Sequence, residues 1–298
     1  MRPAWRRPGG DSGPGAATRT NRESCVHVWQ VALPDGPDDG ADIAAAPVLS
    51  RDEVLRADRL RCGKTRRTFV ATRCALRMIL ARYLTVPPRA ISFRYNAHGK
   101  PAVAGGATAP AFNVSHSEAR ALIAVATAPV GIDVERIDPA LDWRPLAEVA
   151  LDPAEAAALA TLPEDRARHA FLTCWTAKEA CAKGRGLGLS VAPRDLHICW
   201  EAPPRCRVMT AAAEARADDC FLYAAPVAGP YVATLAIQTA RITMVPFRFR
   251  WPVQETSETA PAVGRRAPDR RRPLSTRTTK PRWDMHDGFL DADAFGLP

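Results

Sequence analysis

Between two ends that show no periodic apolar face, the chain runs twice through the same order of elements: a strand, helices, then antiparallel strands. The pattern predicts a strand over 26–33 and helices over 49–60 and 64–84. In the second helix Phe69, Val70, Leu76, Ile79 and Leu80 interleave with Arg66, Arg67, Arg73 and Arg77, and Pro87-Pro88 ends it. Strands over 90–95, 111–114 and 121–127 follow, with a turn at 96–101 after the first. The order restarts at a strand over 130–137, with two or three helices behind it. The last helix, 164–183, has Pro163 near its start, where proline is tolerated, and stops at Gly184, Gly186 and Gly188. Strands over 196–200, 220–226 and 231–238 close the second round. Such a chain is α+β, a pseudo-twofold repeat of two similar subdomains with disordered tails. Its expected parts are a tail over 1–24, an N-terminal half over 25–128, a C-terminal half over 129–245 and a basic tail over 246–298.

Composition narrows the function classes. With 298 residues, 47% hydrophobic and 24% charged, the chain has enough apolar side chains for a core without disulfide or metal staples. No segment approaches the ~18–20 apolar residues of a membrane span. The best run, 121–132, is broken by Thr127 and Pro129. The opening MRPAWRRPGGDSGPG has positive charge but no apolar stretch behind it, so no secretory signal is read and a cytoplasmic protein is expected. The eight cysteines form no Cys-x-x-Cys pair, which fits reduced thiols. A net charge of +9 suits anionic partners without choosing among them, and much of it lies in the Arg-rich C-terminal tail.

Three constellations can carry chemistry. In Gly131-Ile132-Asp133-Val134-Glu135 strand alternation turns Val130, Ile132 and Val134 one way and Gly131, Asp133 and Glu135 the other. Two carboxylates then stand beside a glycine that lets a ligand approach the backbone, an oxygen-only set suited to Mg²⁺. The same pattern also occurs on solvated strand faces that bind nothing. Helical spacing aligns Trp175, Glu179 and Lys183. That stripe is either an ordinary boundary with an i,i+4 ion pair, or a further metal ligand or base beside a phosphate contact. Finally, Asn113-Val114-Ser115-His116-Ser117 delivers two hydroxyls and an imidazole from a short strand to a loop, as phosphate donors or as a capped turn. No Gly-x-Ser-x-Gly elbow, Walker loop, Gly-x-Gly-x-x-Gly or His-Glu-x-x-His motif occurs.

Taken together, these motifs resemble those of the 4′-phosphopantetheinyl transferases of the Sfp type. The resemblance rests on Gly99-Lys100-Pro101, Asn113 to Ser117, Gly131 to Glu135 and Trp175-x-x-Lys178-Glu179-x-x-x-Lys183, in that order and at matching separations. It covers residues 25–240. Val134 stands where isoleucine is commoner, and the Arg-rich tail has no counterpart.

The resemblance implies a monomeric, Mg²⁺-dependent enzyme that moves the phosphopantetheine arm of coenzyme A to a serine of an apo acyl or peptidyl carrier protein, releasing 3′,5′-ADP. It implies that Asp133, Glu135 and Glu179 hold the metal and that Lys183 contacts the pyrophosphate. Ser115 and His116 would hold the 3′-phosphate end or the pyrophosphate. Arg66, Thr68 and Lys100 would touch the nucleotide, and Arg56 and Arg59 its 3′-phosphate. Glu179, with Glu135 second, would receive the serine proton. No membrane or nucleic-acid partner is expected. Two alternatives are a metal-dependent phosphohydrolase, which uses water in place of a protein serine with the same carboxylates, and a basic nucleic-acid-binding protein led by 248–282.

Overall fold

Strands that are apolar on both faces need cover on both sides, and this chain supplies it in a helix–sheet–sheet–helix stack. The computed structural model describes residues 24–34, 48–106, 109–201, 204–208 and 220–251. The first sheet has the order β11-β1-β5-β4, from β1 (Ser24–Ala32), β4 (Ala111–Ser117), β5 (Arg120–Ala126) and β11 (Ile242–Arg248). The second has the order β6-β10-β9-β8-β7, from β6 (Val130–Arg136), β7 (Leu196–Cys199), β8 (Arg205–Val208), β9 (Cys220–Ala224) and β10 (Tyr231–Ile237). A separate hairpin pairs β2 (Phe93–Tyr95) with β3 (Pro101–Val103). The α+β class expected from the sequence is what the structure has.

Alternation sorts the core. Val26 and Val28 of β1 and Leu122 and Ala124 of β5 face the second sheet, where they meet Ile132, Val134 and Leu235. Their neighbours Trp29, Val31, Ile123 and Val125 face outward under Ala75, Leu76, Ile79 and Leu80 of helix α2 (Gly63–Leu84). On the far side, Phe171, Cys174, Ala177 and Cys181 of helix α5 (Glu164–Arg185) cover Leu222 and Ala236. Shorter helices α3 (Arg144–Ala150) and α4 (Pro153–Ala160) lead into α5. Helix α1 (Arg51–Asp58) is pinned to α2 by charge: buried Arg77 donates from Nε to Glu53 Oε2 at 2.5 Å, and from Nη1 to the carbonyls of Pro88 and Ile91, each at 2.9 Å. Removing one partner of so buried a pair costs about 3–5 kcal/mol.

Several sequence expectations are corrected. The boundary drawn at 245/246 falls inside β11, which leaves the second half and pairs in parallel with β1, Ser24 opposite Ile242 through Gln30 opposite Arg248. Pro246 lies within this strand, where a sheet interior would not tolerate it. On an edge strand, however, proline forfeits no ladder bond that the sheet requires. Phe249 is buried beyond it, and Trp251 Nε1 donates to the carbonyl of Ala32 at 2.9 Å. The tails over 1–23 and 252–298, with most of the Arg-rich stretch, lie outside the described residues. Strand β8 was not foreseen. The 90–95 strand is only 93–95 and belongs to the hairpin.

Helix α5 runs two residues further than expected, so Gly184 lies within its last turn and Gly186, at φ +69°, terminates it. Gly131 serves this helix and not a ligand. A Cβ there would fall well inside 3.0 Å of the Ala180 carbonyl oxygen and the Gly184 amide, and 2.8 Å from the Gly184 Cα. We expect Gly131→Ala to destabilise the protein by more than about 3 kcal/mol in urea unfolding, because only backbone stands in the way. Gly184→Ala, whose Cβ would meet its nearest atom at 3.2 Å, should cost distinctly less. Equal effects would contradict this packing.

Candidate functional site

The edges of the two sheets, β4 and β6, run side by side and are joined through side chains. Asn113 Oδ1 accepts from the Ile132 amide at 2.8 Å, Ser115 Oγ donates to Asp133 Oδ1 at 2.7 Å, and Ser117 Oγ donates to Glu135 Oε2 at 2.8 Å. The period of two shows that β4 continues through Ser117, where the sequence reading placed a loop. Residues 113, 115 and 117 therefore face β6, while His116 turns the other way.

Helix α5, pressed onto Gly131, brings Glu179 and Lys183 to the same seam. Lys183 Nζ donates to Asp133 Oδ1 at 2.5 Å and to Ser115 Oγ at 3.2 Å. Its ammonium is thus bound to β6, not spent on an i,i+4 pair with Glu179. Burial, and then the neighbouring Asp133 charge, push the Glu135 carboxyl above its ordinary value. Burial raises Glu179 too, with Lys183 opposing and Asp133 assisting. Asp133 is 2% exposed, and its Oδ2 has no hydrogen-bond partner. An orphaned buried carboxylate oxygen, with the Glu135 and Glu179 carboxyls electrostatically coupled to it, is the kind of oxygen donor that fits a hard dication such as Mg²⁺.

Among the described residues, the three acids are not the tightest set: the ligand atoms of Asp152, Glu155 and His197 lie within 4.8 Å of one another. Helix capping accounts for that group. Asp152 caps α4, accepting from the Ala154 and Glu155 amides, and Glu155 completes the capping box. Glu155 Oε2 also holds the fully buried Lys178 at 2.5 Å. Lys178 is therefore a core staple between α4 and α5, a role that its place in the motif concealed.

On the outer side of β4 opens a cavity of ≈ 630 Å³ between α1, α2, the β2–β3 hairpin and the end of β4. Its α2 wall is one helical face: Thr65, Thr68, Phe69, Thr72, Arg73 and Leu76. Arg56 lies 5.3 Å and Arg73 5.7 Å from the centroid of the Phe69 ring. Beneath, Arg73 shares Glu53 with Arg77, its Nε 3.4 Å from Oε1. His116 lines the opening, and desolvation by the walls and then the Lys183 charge hold its imidazole below the ordinary value. Ser117 and Glu118 are common to this cavity and a second one of ≈ 230 Å³, whose wall includes Glu135, Leu141, Phe171 and Trp175.

Of the residues singled out in the sequence, Arg56, Thr68 and His116 line the large cavity, and Ser115, Asp133, Glu135, Glu179 and Lys183 gather at the seam beside it. Arg59, Arg66 and Lys100 are not on the cavity wall. Arg66 pairs with Asp58 at 2.7 Å on the surface. Lys100 Nζ turns to the carbonyls of Gly184 at 2.8 Å and Val130 at 3.3 Å. Sequence reasoning missed Arg73 on the cavity wall, and it placed Asn113 and Ser117 in a motif without foreseeing their bonds to β6. The threonines at 65, 68 and 72 in helical register, and the polar residues 113, 115 and 117 at period two, were the available signals.

Comparison with known proteins places this architecture. A model of the 4′-phosphopantetheinyl transferase superfamily matches residues 129–236, the stretch that carries all three acids and Lys183. The 4′-phosphopantetheinyl transferase HetI of Nostoc sp. is 36% identical over 212 residues, covering 68% of this chain and 88% of that protein. The 4′-phosphopantetheinyl transferase AcpT of Salmonella typhi is 38% identical over 111 residues, 37% of this chain and 56% of its own. For gsp of Aneurinibacillus migulanus, a 4′-phosphopantetheinyl transferase, the figures are 34% over 116 residues, 39% and 47%. Against these last two, the match spans about half of the relative's length. The chain belongs to the 4′-phosphopantetheinyl transferase superfamily.

Burial holds the Lys100 ammonium at a pKa of about 8, below its ordinary 10.5. A folded-state pKa below the unfolded one means that the unfolded chain binds more protons between those values, so stability rises with pH across that window. The urea midpoint of the wild-type protein should climb relative to Lys100→Met between about pH 8 and pH 10. A pH-independent difference would show that the ammonium is not desolvated.

Proposed function

We propose that this chain transfers the 4′-phosphopantetheine arm of coenzyme A to a serine hydroxyl of apo acyl or peptidyl carrier proteins, releasing 3′,5′-ADP. The observation that carries the reading is the convergence of Asp133, Glu135, Glu179 and Lys183 at the seam between the halves, next to a cavity lined by arginine and threonine. The large cavity takes the nucleotide. Thr65, Thr68 and Thr72 offer hydroxyl donors, and Arg56 and Arg73 supply positive charge for its phosphates. Lys183, already oriented on Asp133, meets the pyrophosphate where cavity and seam join. The second cavity, sharing Ser117 and Glu118 and walled by Leu141, Phe171 and Trp175, receives the arm and admits the carrier serine.

The chemistry asks for alignment and charge compensation more than for covalent help. The serine oxygen forms a bond to the β-phosphorus, the bond from that phosphorus to the bridging oxygen breaks, and the ADP oxygen leaves. The serine proton passes to Glu179, with Glu135 as the second acceptor, since burial makes both stronger bases than free carboxylates. Asp133, Glu135 and Glu179 would hold Mg²⁺, which when bound supplies positive charge against the phosphate oxygens. Lys183 offsets the charge that develops on those oxygens. The reading takes the enzyme to act as a monomer. Among the described residues no helix is long and apolar enough to cross a membrane and no cysteine forms a disulfide, and the same reading makes this a cytoplasmic enzyme.

Incubation with coenzyme A, Mg²⁺ and an apo carrier should add the mass of one phosphopantetheine arm to the carrier, and EDTA should abolish the gain. Asp133→Ala and Glu179→Ala should each lower turnover by about 10²-fold or more. Lys183→Ala should chiefly raise the KM for coenzyme A. Coenzyme A consumption in the absence of carrier would favour a phosphohydrolase, and normal turnover by either acid variant would dismiss the site.

A further inference from the structure

The loop between β2 and β3 belongs to the first half of the molecule, yet its polar groups are directed at the second. Asn96 Nδ2 donates to the Gly186 carbonyl at 2.8 Å, and Lys100 Nζ donates to the Gly184 carbonyl at 2.8 Å. Both acceptors lie at the C-terminal end of α5, where carbonyls lack helical partners and the helix dipole is negative. The loop is shaped for this. Asn96 Oδ1 accepts from the amides of His98 and Lys100 at 3.0 and 2.8 Å, so a single side chain folds the loop from within and docks it outward.

The glycines of the α5 exit form the receiving surface. A Cβ at Gly186 would stand 2.8 Å from Asn96 Nδ2 and 3.2 Å from Lys100 Cδ, and one at Gly188 would stand 3.0 Å from His98 Cβ. Both have positive φ, at +69° and +56°. These glycines therefore stop the helix and also let the loop lie against it. On the loop's opposite side, Tyr95, Gly99 and Pro101 line the large cavity. Lys183, which reaches Asp133, sits in the last turn of α5 between the two clamped carbonyls and Glu179.

We infer that the Asn96–Lys100 loop is a clamp that sets the position of the α5 C-terminal turn, and that it transmits occupancy of the large cavity to Lys183 and Glu179. Lys100 and Asn96 are then positioning residues, and Lys100 is not a contact of the nucleotide. The part that concerns occupancy rests on the function proposed above. The clamp itself does not.

The test combines hydrogen exchange with kinetics on the full-length chain, using Lys100→Met and Asn96→Ala. In the nucleotide-free protein, amides of 183–188 should exchange at least about tenfold faster in either variant than in the wild type, while the sheets stay protected. Coenzyme A should slow exchange of that turn in the wild type, and this slowing should be lost in the variants although coenzyme A still binds within about twofold of wild-type affinity. Turnover should fall about tenfold in each variant and little further in the double variant, because both changes break one clamp. Unchanged exchange at 183–188 in both variants would overturn the clamp. So would a loss confined to coenzyme A affinity with turnover intact, which would make Lys100 a ligand contact. If Lys100→Met does not fold, Asn96→Ala decides alone. A wild-type chain that does not bind coenzyme A would refute the functional reading, while exchange in the nucleotide-free protein would still decide the clamp.

Discussion

The site exists because the backbone of α5 can touch the backbone of β6. A helix packed on a sheet through ordinary side chains stands about 10 Å away, too far for its short polar groups to share a site with the strand. Gly131 and Gly184 remove that separation, since each faces the other's backbone where a side chain would otherwise intervene. The approach carries Lys183 to Asp133 and sets Glu179 beside them, in a part-buried seam that opens on the neighbouring cavities. Burial and the Asp133 charge raise the Glu135 and Glu179 carboxyls, and the Lys183 that this packing brings in opposes both shifts.

The second dependence is on hydroxyls in place of a ladder. β4 and β6 end their own sheets, and such edges normally expose unpaired backbone groups. Here Asn113 and Ser117 accept from the Ile132 and Arg136 amides, so the seam is partly satisfied by side chains. Ser115 and Ser117 donate to Asp133 and Glu135, fixing the carboxylates in orientation before any ligand arrives. Joining the halves and preparing the acids are therefore a single set of bonds. Apolar replacements along 113, 115 and 117 would leave the strand period intact and remove both functions.

What the sequence disclosed followed its local periods. Alternation along 130–135 assigned the apolar face and the acid face correctly, and helical spacing aligned Glu179 with Lys183. Errors arose where a residue's partner is distant in the chain. Gly131 looked like room for a ligand, because nothing local reveals that α5 lies across it. Lys100 sits in a motif beside the cavity, but its ammonium crosses to carbonyls 30 and 84 residues away. Lys178 carries a charge that belongs on a surface by composition and is buried because Glu155 meets it there. The tail expected from 246 onward starts later, because β11 pairs in parallel with β1 through Arg248. The threonine stripe of α2 was readable, but a polar helix face looks the same whether it borders a cavity or solvent.

The two halves meet through a sealed apolar core, Val26 and Leu122 against Ile132 and Leu235, and charge accounts for why cavities open beside it at the β4–β6 seam. On the cavity side, Arg73 and Arg77 divide one buried carboxylate, Glu53, so positive charge remains at the wall beneath Phe69. On the seam side, one ammonium, Lys183, serves three carboxylates, and Asp133 Oδ2 stays without a donor. Neither imbalance would persist in a closed interior, where an uncompensated charge costs several kcal/mol or loses its ionisation. Opposite excesses on adjoining walls call for a ligand that is anionic toward the arginines and brings a cation toward the acids. A phosphorylated nucleotide accompanied by a dication meets both demands at once, whereas a neutral substrate would leave each wall as it was. The Asn96–Lys100 loop, bonded to one half and lining the cavity of the other, is where neutralisation of these charges by the proposed substrate would first be felt by α5.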